Sequence, residues 1–418
     1  MEREVDAVVV GAGPVGENAA DRVRAGGLEV VLVEHELVGG ECSYWACVPS
    51  MTLVRSAAAL RAAQRVPGAA EAATGELDVA AVLRRRDYWV SDWSDRGAVE
   101  WVESVGIELA RGHGRLAGPR RVVVEHPDGS ETTFVARHAV VVCTGSDPAI
   151  PPIVGEAVLA GLRGLGATVR LGVEPTQVER DGSGEVVITL DDDSTVTADE
   201  VLVATGRKPR SGTVGLDTVG LEPGSWLDVD ETMLVRGADG DGDWLYAVGD
   251  VNHRALLTHQ GKYQGRAAGD VIVARALGRP VDASPWGVHV ATADHSAVPG
   301  VVFGEPECVS VGLTEAAARR AGHDVRIAEV PIQSASGAGI LADGYDGRAR
   351  LVVDAERDVV IGATFVGQDV AELLHAATIA VVGEVPVTRL WHAVPAFPTM
   401  SEVWLRLLED LGRPEVTA

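Results

Sequence analysis

Residues 39–51 read GGECSYWACVPSM, which places Cys42 and Cys47 five positions apart with Trp45 between them. They follow two glycines at the expected start of a helix, where the helix dipole lowers a thiol's pKa and favours the reactive thiolate. Two thiols are too few for the four ligands of a structural zinc site, and four cysteines in 418 residues do not make a disulfide framework. No metal site is expected. Cys143 in VVVCTGS and Cys308 in PECVSVG lie in apolar, strand-like surroundings and read as small buried hydrophobes.

The elements that position such a pair begin at the N-terminus. DAVVVGAGPVGENAADRVRAGGLEVVLVEHE runs as an apolar strand, a glycine turn, an Ala-rich helix and a second apolar strand. It carries G-x-G-x-x-G at Gly11, Gly13 and Gly16, with Glu34 placed 23 positions after the first glycine. The glycines let backbone approach a pyrophosphate at the helix N-terminus, and Glu34 can accept from a ribose hydroxyl. A tight strand-to-helix turn with no ligand is the plainer reading of the glycines alone.

Residues 52–110 read as helical, with Trp89, Trp93 and AAALRAAQR at helical spacing expected in core or interface. Strands RRVVVEH and ETTFVARHAVVVCTGS follow, and the Pro-rich DPAIPP predicts a domain boundary. A short helix, GEAVLAGLRGLG, then precedes strands ATVRLGVEP, GEVVITLDD and EVLVATG. The predicted fold is α/β. A doubly wound Rossmann-type domain takes 1–152 and 227–298, a small central segment 153–226, and a C-terminal α+β domain 299–418. The formal charge of −25 argues against nucleic acid as a partner. No run of eighteen apolar residues predicts a membrane span, and MEREVD leads directly into a strand, so a cytoplasmic protein is expected. Of 36 basic residues only Lys208 and Lys262 are lysine.

In order along the chain, GAGPVG with Glu34, GGECSYWACVPS, CTGSDPAIPP, ATGRKPR, YAVGDV with LLTHQGKYQGRAAG, VPGVVFGEPECVSVGLTE and FPTMSE resemble the flavin (pyridine nucleotide) disulfide oxidoreductases, the family of dihydrolipoamide dehydrogenase, glutathione reductase and mercuric reductase. The resemblance implies extended FAD, with Gly11, Gly13, Pro14, Val15 and Gly16 at its pyrophosphate and Asp250 near its ribityl chain. Glu34, Gly40, Cys42, Gly114, Thr144, Gly145, Gly249 and Thr258 complete the expected cofactor residues. It also implies a homodimer made by the C-terminal domain. In such enzymes a nicotinamide cofactor reduces the flavin, the flavin reduces a disulfide matching Cys42 and Cys47, and a histidine of the partner subunit manages the thiol protons.

Three parts of that scheme depart from the family's pattern here. The nicotinamide site needs a second βαβ unit of about 30 residues or more. Gly145 and Gly206, which bracket it, stand only 61 residues apart, and GLRGLG at 161–166 has the wrong spacing for its fingerprint. The lysine after CVPS is replaced by Met51, a thioether that cannot stabilise an anionic reduced flavin. In the family's His-Pro-Thr-x-x-Glu pattern the chain has Phe397 and keeps Glu402, so the proton-carrying ring is gone. The C-terminal cysteine pair of mercuric reductases is also missing from EDLGRPEVTA, and NAD(P)H binding is not expected.

The expectation is therefore an FAD-containing enzyme in which flavin serves as scaffold and the cysteines clamp a loop. Its remodelled cleft takes a small organic substrate, through a non-redox cyclisation or rearrangement in natural-product biosynthesis. No acid or base is assigned; Trp45, Met51, His392, Phe397 and Glu402 are cleft candidates, with His259 and Glu41 as further polar groups. The alternative is a flavin oxidoreductase in which Cys42 and Cys47 work with electrons from substrate, O2 or a protein partner. A third reading is a redox sensor whose disulfide state alters a dimer contact.

Overall fold

A computed structural model describes residues 2–148, 163, 166–170, 172–180, 182, 184–201 and 207–413. It divides into two compact units: Met1–Asp147, Lys208–Val298 and Gly339–Gly344 make the first, and Pro148–Arg207, Pro299–Ala338 and Tyr345–Ala418 the second.

In the first unit β1 (Glu2–Val10) ends at the glycine turn, α1 (Pro14–Ala25) begins with proline, and β2 (Val30–Glu34) is buried along its whole length. Proline is suited to that first helical position because its missing N–H would have had no partner there. Helices α2 (Gly40–Tyr44), α3 (Cys47–Gln64), α4 (Val79–Trp89) and α5 (Arg96–Ser104) come next. Strands β3 (Glu108–Arg111), β4 (His113–Leu116), β5 (Arg121–Glu125) and β6 (Glu131–Val142) complete a sheet of order β3-β2-β1-β6-β5-β4, and the strand Leu245–Ala247 pairs with β6. The ladders joining β1, β2, β3 and β6 are parallel, with Val8 opposite Val31 on one side and Val140 on the other. Strands covered on both faces read as unbroken valine runs rather than alternating ones, which is why this part of the sequence is so apolar.

Helix α6 (Thr258–Ala276) lies against α1. Its glycines make the approach possible. A Cβ on Gly261 would stand 2.6 Å from Cγ2 of Val15, one on Gly265 2.9 Å from the Val15 carbonyl, and one on Gly269 2.6 Å from Cβ of Arg22.

The second unit holds an antiparallel three-stranded sheet, Pro175–Arg180, Val186–Leu190 and Thr195–Ala198. It also holds a five-stranded antiparallel sheet in the order Gly300–Val302, Glu307–Gly312, Val359–Gly367, Arg348–Asp354, Val325–Pro331. Among its helices, Val403–Leu411 buries Val403, Leu407 and Leu408. The chain thus has the expected α/β architecture, with a Rossmann-type domain and a C-terminal α+β unit.

Several local expectations are corrected. ATVRLGVEP is not a strand: the described residues before Pro175 carry none, and pairing starts where Pro175 meets Leu190. Of the two places expected for Trp89 and Trp93, core and interface, the core of this chain is excluded: they are 54% and 38% exposed, and their rings lie under Arg85 and Arg86, at 6.0 and 5.0 Å. Cys308 is half-buried, whereas Cys143 is buried at the end of β6. Residues 208–226 join the first unit, because Leu216 and Val219 are fully enclosed in its core. The expected helix GEAVLAGLRGLG and most of EVLVATG lie outside the described residues.

Candidate functional site

The turn after β1 is built by local backbone demands. Gly11 has φ +103°, and a Cβ there would lie 2.6 Å from the Cys143 carbonyl oxygen, while one on Gly16 would collide with the carbonyl of Gly11. Gly13 is different: its nearest neighbour is the Gly40 Cα at 3.9 Å, so its missing side chain leaves room rather than relieving a clash. Gly40 in turn has φ +58°, and a Cβ on it would stand 2.7 Å from the Gly13 Cα. Both glycines line a cavity beside the start of α1, whose first N–H groups have no partner within the helix, an arrangement suited to an anion.

Glu34, at the end of β2, accepts from the backbone N–H of Ala12 at 2.8 Å, His35 at 2.9 Å and Glu36 at 2.8 Å. Burial pushes this carboxyl up, but contact with His35 and the backbone N–H donors outweigh it and hold it below the ordinary range. The His35 side chain and the N–H groups of His35 and Glu36 meet Oε1, whereas Oε2 accepts only from Ala12 among the described residues and keeps a position for a ribose hydroxyl.

These residues line a cavity of about 880 Å³ lying within the first unit. Gly11, Gly13, Pro14, Val15, Glu34 and Gly40 form one wall. Cys42, Gly114, Thr144, Gly145, Gly249, Asp250 and Thr258 come from farther along the chain. Of the expected cofactor residues only Gly16 does not line it, being consumed in strand-to-helix packing. Asp250 accepts from the Ser146 hydroxyl at 2.6 Å, and Gly249, at φ +78°, donates to Oε1 of Gln264 at 2.8 Å. Gln264 also accepts from Asn252 and donates to the buried Asp294, which fixes the loop carrying Asp250. Burial raises the Asp294 carboxyl, opposed by the amide of Gln264 and the charge of Arg254.

Cys42 and Cys47 are joined as a disulfide with Cα atoms 4.7 Å apart, at the junction of α2 and α3. The Thr258 hydroxyl, from the first residue of α6, lies 3.3 Å from Sγ of Cys42 and 3.6 Å from Sγ of Cys47. Trp45 is 48% exposed, lines the same cavity and meets Tyr44 edge-on at 5.7 Å. Glu41 lines the cavity as well; Met51 is half-buried in α3 and His259 exposed in α6, and neither lines it. Replacing Thr258 by Val should make the disulfide harder to reduce, because a hydroxyl donates more strongly to a thiolate than to a neutral sulfur. A fall of about 30 mV in its midpoint potential, equivalent to ~1.4 kcal/mol, is expected in a glutathione redox titration.

The remaining candidates belong to the second unit. His392 is exposed, and Phe397, followed by a cis Pro398, is 76% exposed. Glu402 is 5% exposed, and its Oε2 has no hydrogen-bond partner among the described residues. A buried carboxylate oxygen without a donor is costly. In the family's pattern this acid is followed back to a histidine five positions upstream, and here that position is phenylalanine.

Sequence reasoning missed the cavity's cationic and imidazole lining: His35, His113, Lys208 and Arg210. His35 and His113 meet edge-on at 5.8 Å, and contact with Glu34 raises the His35 pKa against its burial. A signal existed in RKPR, where Lys208 is one of two lysines in an arginine-rich chain. The glycine cradle, the retained ribose acceptor, the basic lining and a volume within the range of cofactor pockets together fit FAD.

Comparison with known proteins agrees. Residues 5–164 and 154–265 match the pyridine nucleotide-disulphide oxidoreductase family, and residues 298–407 match its dimerisation domain. A dihydrolipoyl dehydrogenase of Halobacterium salinarum is 28% identical over 471 aligned positions, covering 97% of this chain and 95% of that protein. A glutathione reductase of Burkholderia cepacia is 27% identical, covering 97% and 98%, and a mercuric reductase of Staphylococcus aureus 25%, covering 96% and 81%. Because 471 aligned positions exceed the 418 residues present, at least 53 positions of the first alignment have no residue in this chain. The crystal structure of LpdA from Mycobacterium tuberculosis superposes with a TM-score of 0.82 at 20% identity, over 98% of this chain and 100% of that one. The chain is thus an FAD-binding member of the pyridine nucleotide-disulphide oxidoreductase family, with that family's C-terminal dimerisation domain.

Proposed function

We propose that this flavoprotein no longer accepts hydride from NAD(P)H and works as a homodimer on a small organic substrate, by a non-redox cyclisation or rearrangement beside the flavin. The observation that carries the reading is Glu402: a buried acid stripped of its proton-carrying partner, with Phe397 exposed where that partner's ring would be. Met51 and the 61-residue interval between Gly145 and Gly206 point the same way. FAD, when bound, supplies a flat apolar floor and a two-electron acceptor. Around it, Trp45 offers an exposed indole wall that packs and orients an organic molecule, and the Cys42–Cys47 bridge holds the α2–α3 junction in place. The test is anaerobic titration of the purified protein with NADH and NADPH.

The second reading, a flavin oxidoreductase using the cysteines with electrons from substrate, O2 or a protein partner, is favoured by one contact. The Thr258 hydroxyl bridging both sulfurs is placed to stabilise a thiolate once the bridge opens. Cys42→Ser separates the readings. Under the first, turnover stays within about threefold of wild type with some loss of thermal stability; under the second it falls by three orders of magnitude or more. Turnover is measured by product formation with the substrate the cleft accepts.

A further inference from the structure

The turn that brings Asp250 to the cavity is held by a buried chain of amides whose directions are fixed from the backbone outward. Asn252 donates to the Ala247 carbonyl at 3.0 Å and accepts from the N–H of Arg254 at 3.0 Å, so its amide cannot be reversed. The same Asn252 nitrogen donates to Oε1 of Gln264 at 2.8 Å, where the N–H of Gly249 arrives as well, also at 2.8 Å. A backbone N–H can only donate, so the oxygen of Gln264 faces the turn and its nitrogen points away. That nitrogen donates to Oδ2 of Asp294 at 2.9 Å. Asp294, in the short helix Ala293–Ser296, accepts through Oδ1 from Gln260 at 2.9 Å. Arg254, paired with Glu231 at 2.7 Å, stands 3.8 Å from Oδ2. Asn252, Gln260, Gln264 and Asp294 are all buried, and none of them lines the cavity. Gly249 and Asp250 do line it, and Gly249, at φ +78° and ψ −157°, sits where a Cβ would stand 3.1 Å from Val15 of α1.

We propose that Asp294 is a positioning residue of the flavin site, which acts through Gln264 to keep the Gly249–Asp250 turn in the form that receives FAD. Without an acceptor at position 294 the Gln264 nitrogen becomes a buried donor with no partner. Rotation of the amide relieves that cost only by taking its oxygen away from Gly249 and Asn252. The turn must then be ordered when FAD binds, and ordering lowers affinity. What position 294 has to supply is an oxygen facing Gln264, not a charge. Asparagine can supply it with its own nitrogen turned to Gln260, whose side chain makes no second hydrogen bond among the described residues and is free to reverse. Leucine, of similar size, cannot.

The full-length protein, freed of flavin, is titrated with FAD, and flavin fluorescence gives the Kd of each variant beside its thermal melt. Asp294→Leu is expected to weaken FAD binding by about tenfold, the cost of one buried donor left unpaired. Asp294→Asn should lose less than about threefold, and so should Gln260→Leu, which removes the other hydrogen bond of the same carboxylate without touching the turn. A loss below threefold in Asp294→Leu, however far its melting temperature falls, marks a packing role and overturns the proposal. A loss of threefold or more in either of the other two overturns it as well. Should Asp294→Leu fail to fold, Gln264→Glu decides, since it sets two carboxylates face to face and must weaken FAD binding by more than threefold. Adding Asp294→Asn, whose amide can donate to that second acid, must then restore the affinity to within threefold of wild type, and no restoration overturns the proposal. Every outcome is read from FAD affinity and is independent of how the bound flavin is used.

Discussion

Anaerobic addition of excess NADH or NADPH is expected to leave the flavin absorbance of this protein unchanged over minutes, where a family member with a complete nicotinamide site is reduced at once. The physical ground is positional. Hydride transfer needs the two rings held within about 3–3.5 Å, and losing such positioning costs ~7–11 kcal/mol of barrier, or roughly five to eight orders of magnitude in rate. The interval from Gly145 to Gly206 offers 61 residues for what elsewhere is a full dinucleotide-binding unit. On the proposed reading Met51 acts in the same direction, since no ammonium is present at that position to favour the anionic reduced flavin. Complete reduction within seconds by either nucleotide would overturn the proposed function. Stopped-flow absorbance under argon makes the measurement direct.

The second large effect separates two glycines of one motif. Gly11→Ala should unfold or strongly destabilise the first unit. Alanine at φ +103° is strained by ~1–3 kcal/mol, and its Cβ meets the Cys143 carbonyl at 2.6 Å, for a total of about 3–5 kcal/mol. Gly13→Ala should do the opposite. Its Cβ meets no atom closer than 3.9 Å, so the apoprotein keeps its fold, while the added methyl enters the space that a pyrophosphate occupies. FAD affinity is then expected to fall by about tenfold to a hundredfold, equal to ~1.4–2.8 kcal/mol. Thermal melts of the two variants, with and without added FAD, check both halves. Equal melting temperatures for the two apoproteins would show that the glycines do not divide the work as described.

Much of the cofactor site was legible in the sequence, because its requirements are backbone requirements. A positive φ at Gly11, close approach at Gly16 and Gly40, and an acid at the end of β2 are demands met by residue type at fixed spacing. Hydrophobic periodicity likewise sufficed for the buried parallel strands. It failed where burial depends on what packs from elsewhere. ATVRLGVEP has the residues of a strand but ladder pairing starts only at its last residue, Pro175; Trp89 closes a helix that buries nothing, with Trp93 in the short turn after it, and Cys308 is only half-buried.

By itself, then, the sequence determined the family, the flavin cradle and the absence of a lysine at 51 and a histidine at 397, since each is written in local residue identity. Tertiary structure alone decided that one threonine hydroxyl, 216 positions from Cys42, reaches both sulfurs of the bridge. It alone left one oxygen of the buried Glu402 without a donor among the described residues. Spacing along a chain sets backbone geometry, but desolvation and the partners a polar group finds depend on which distant segment the fold brings against it.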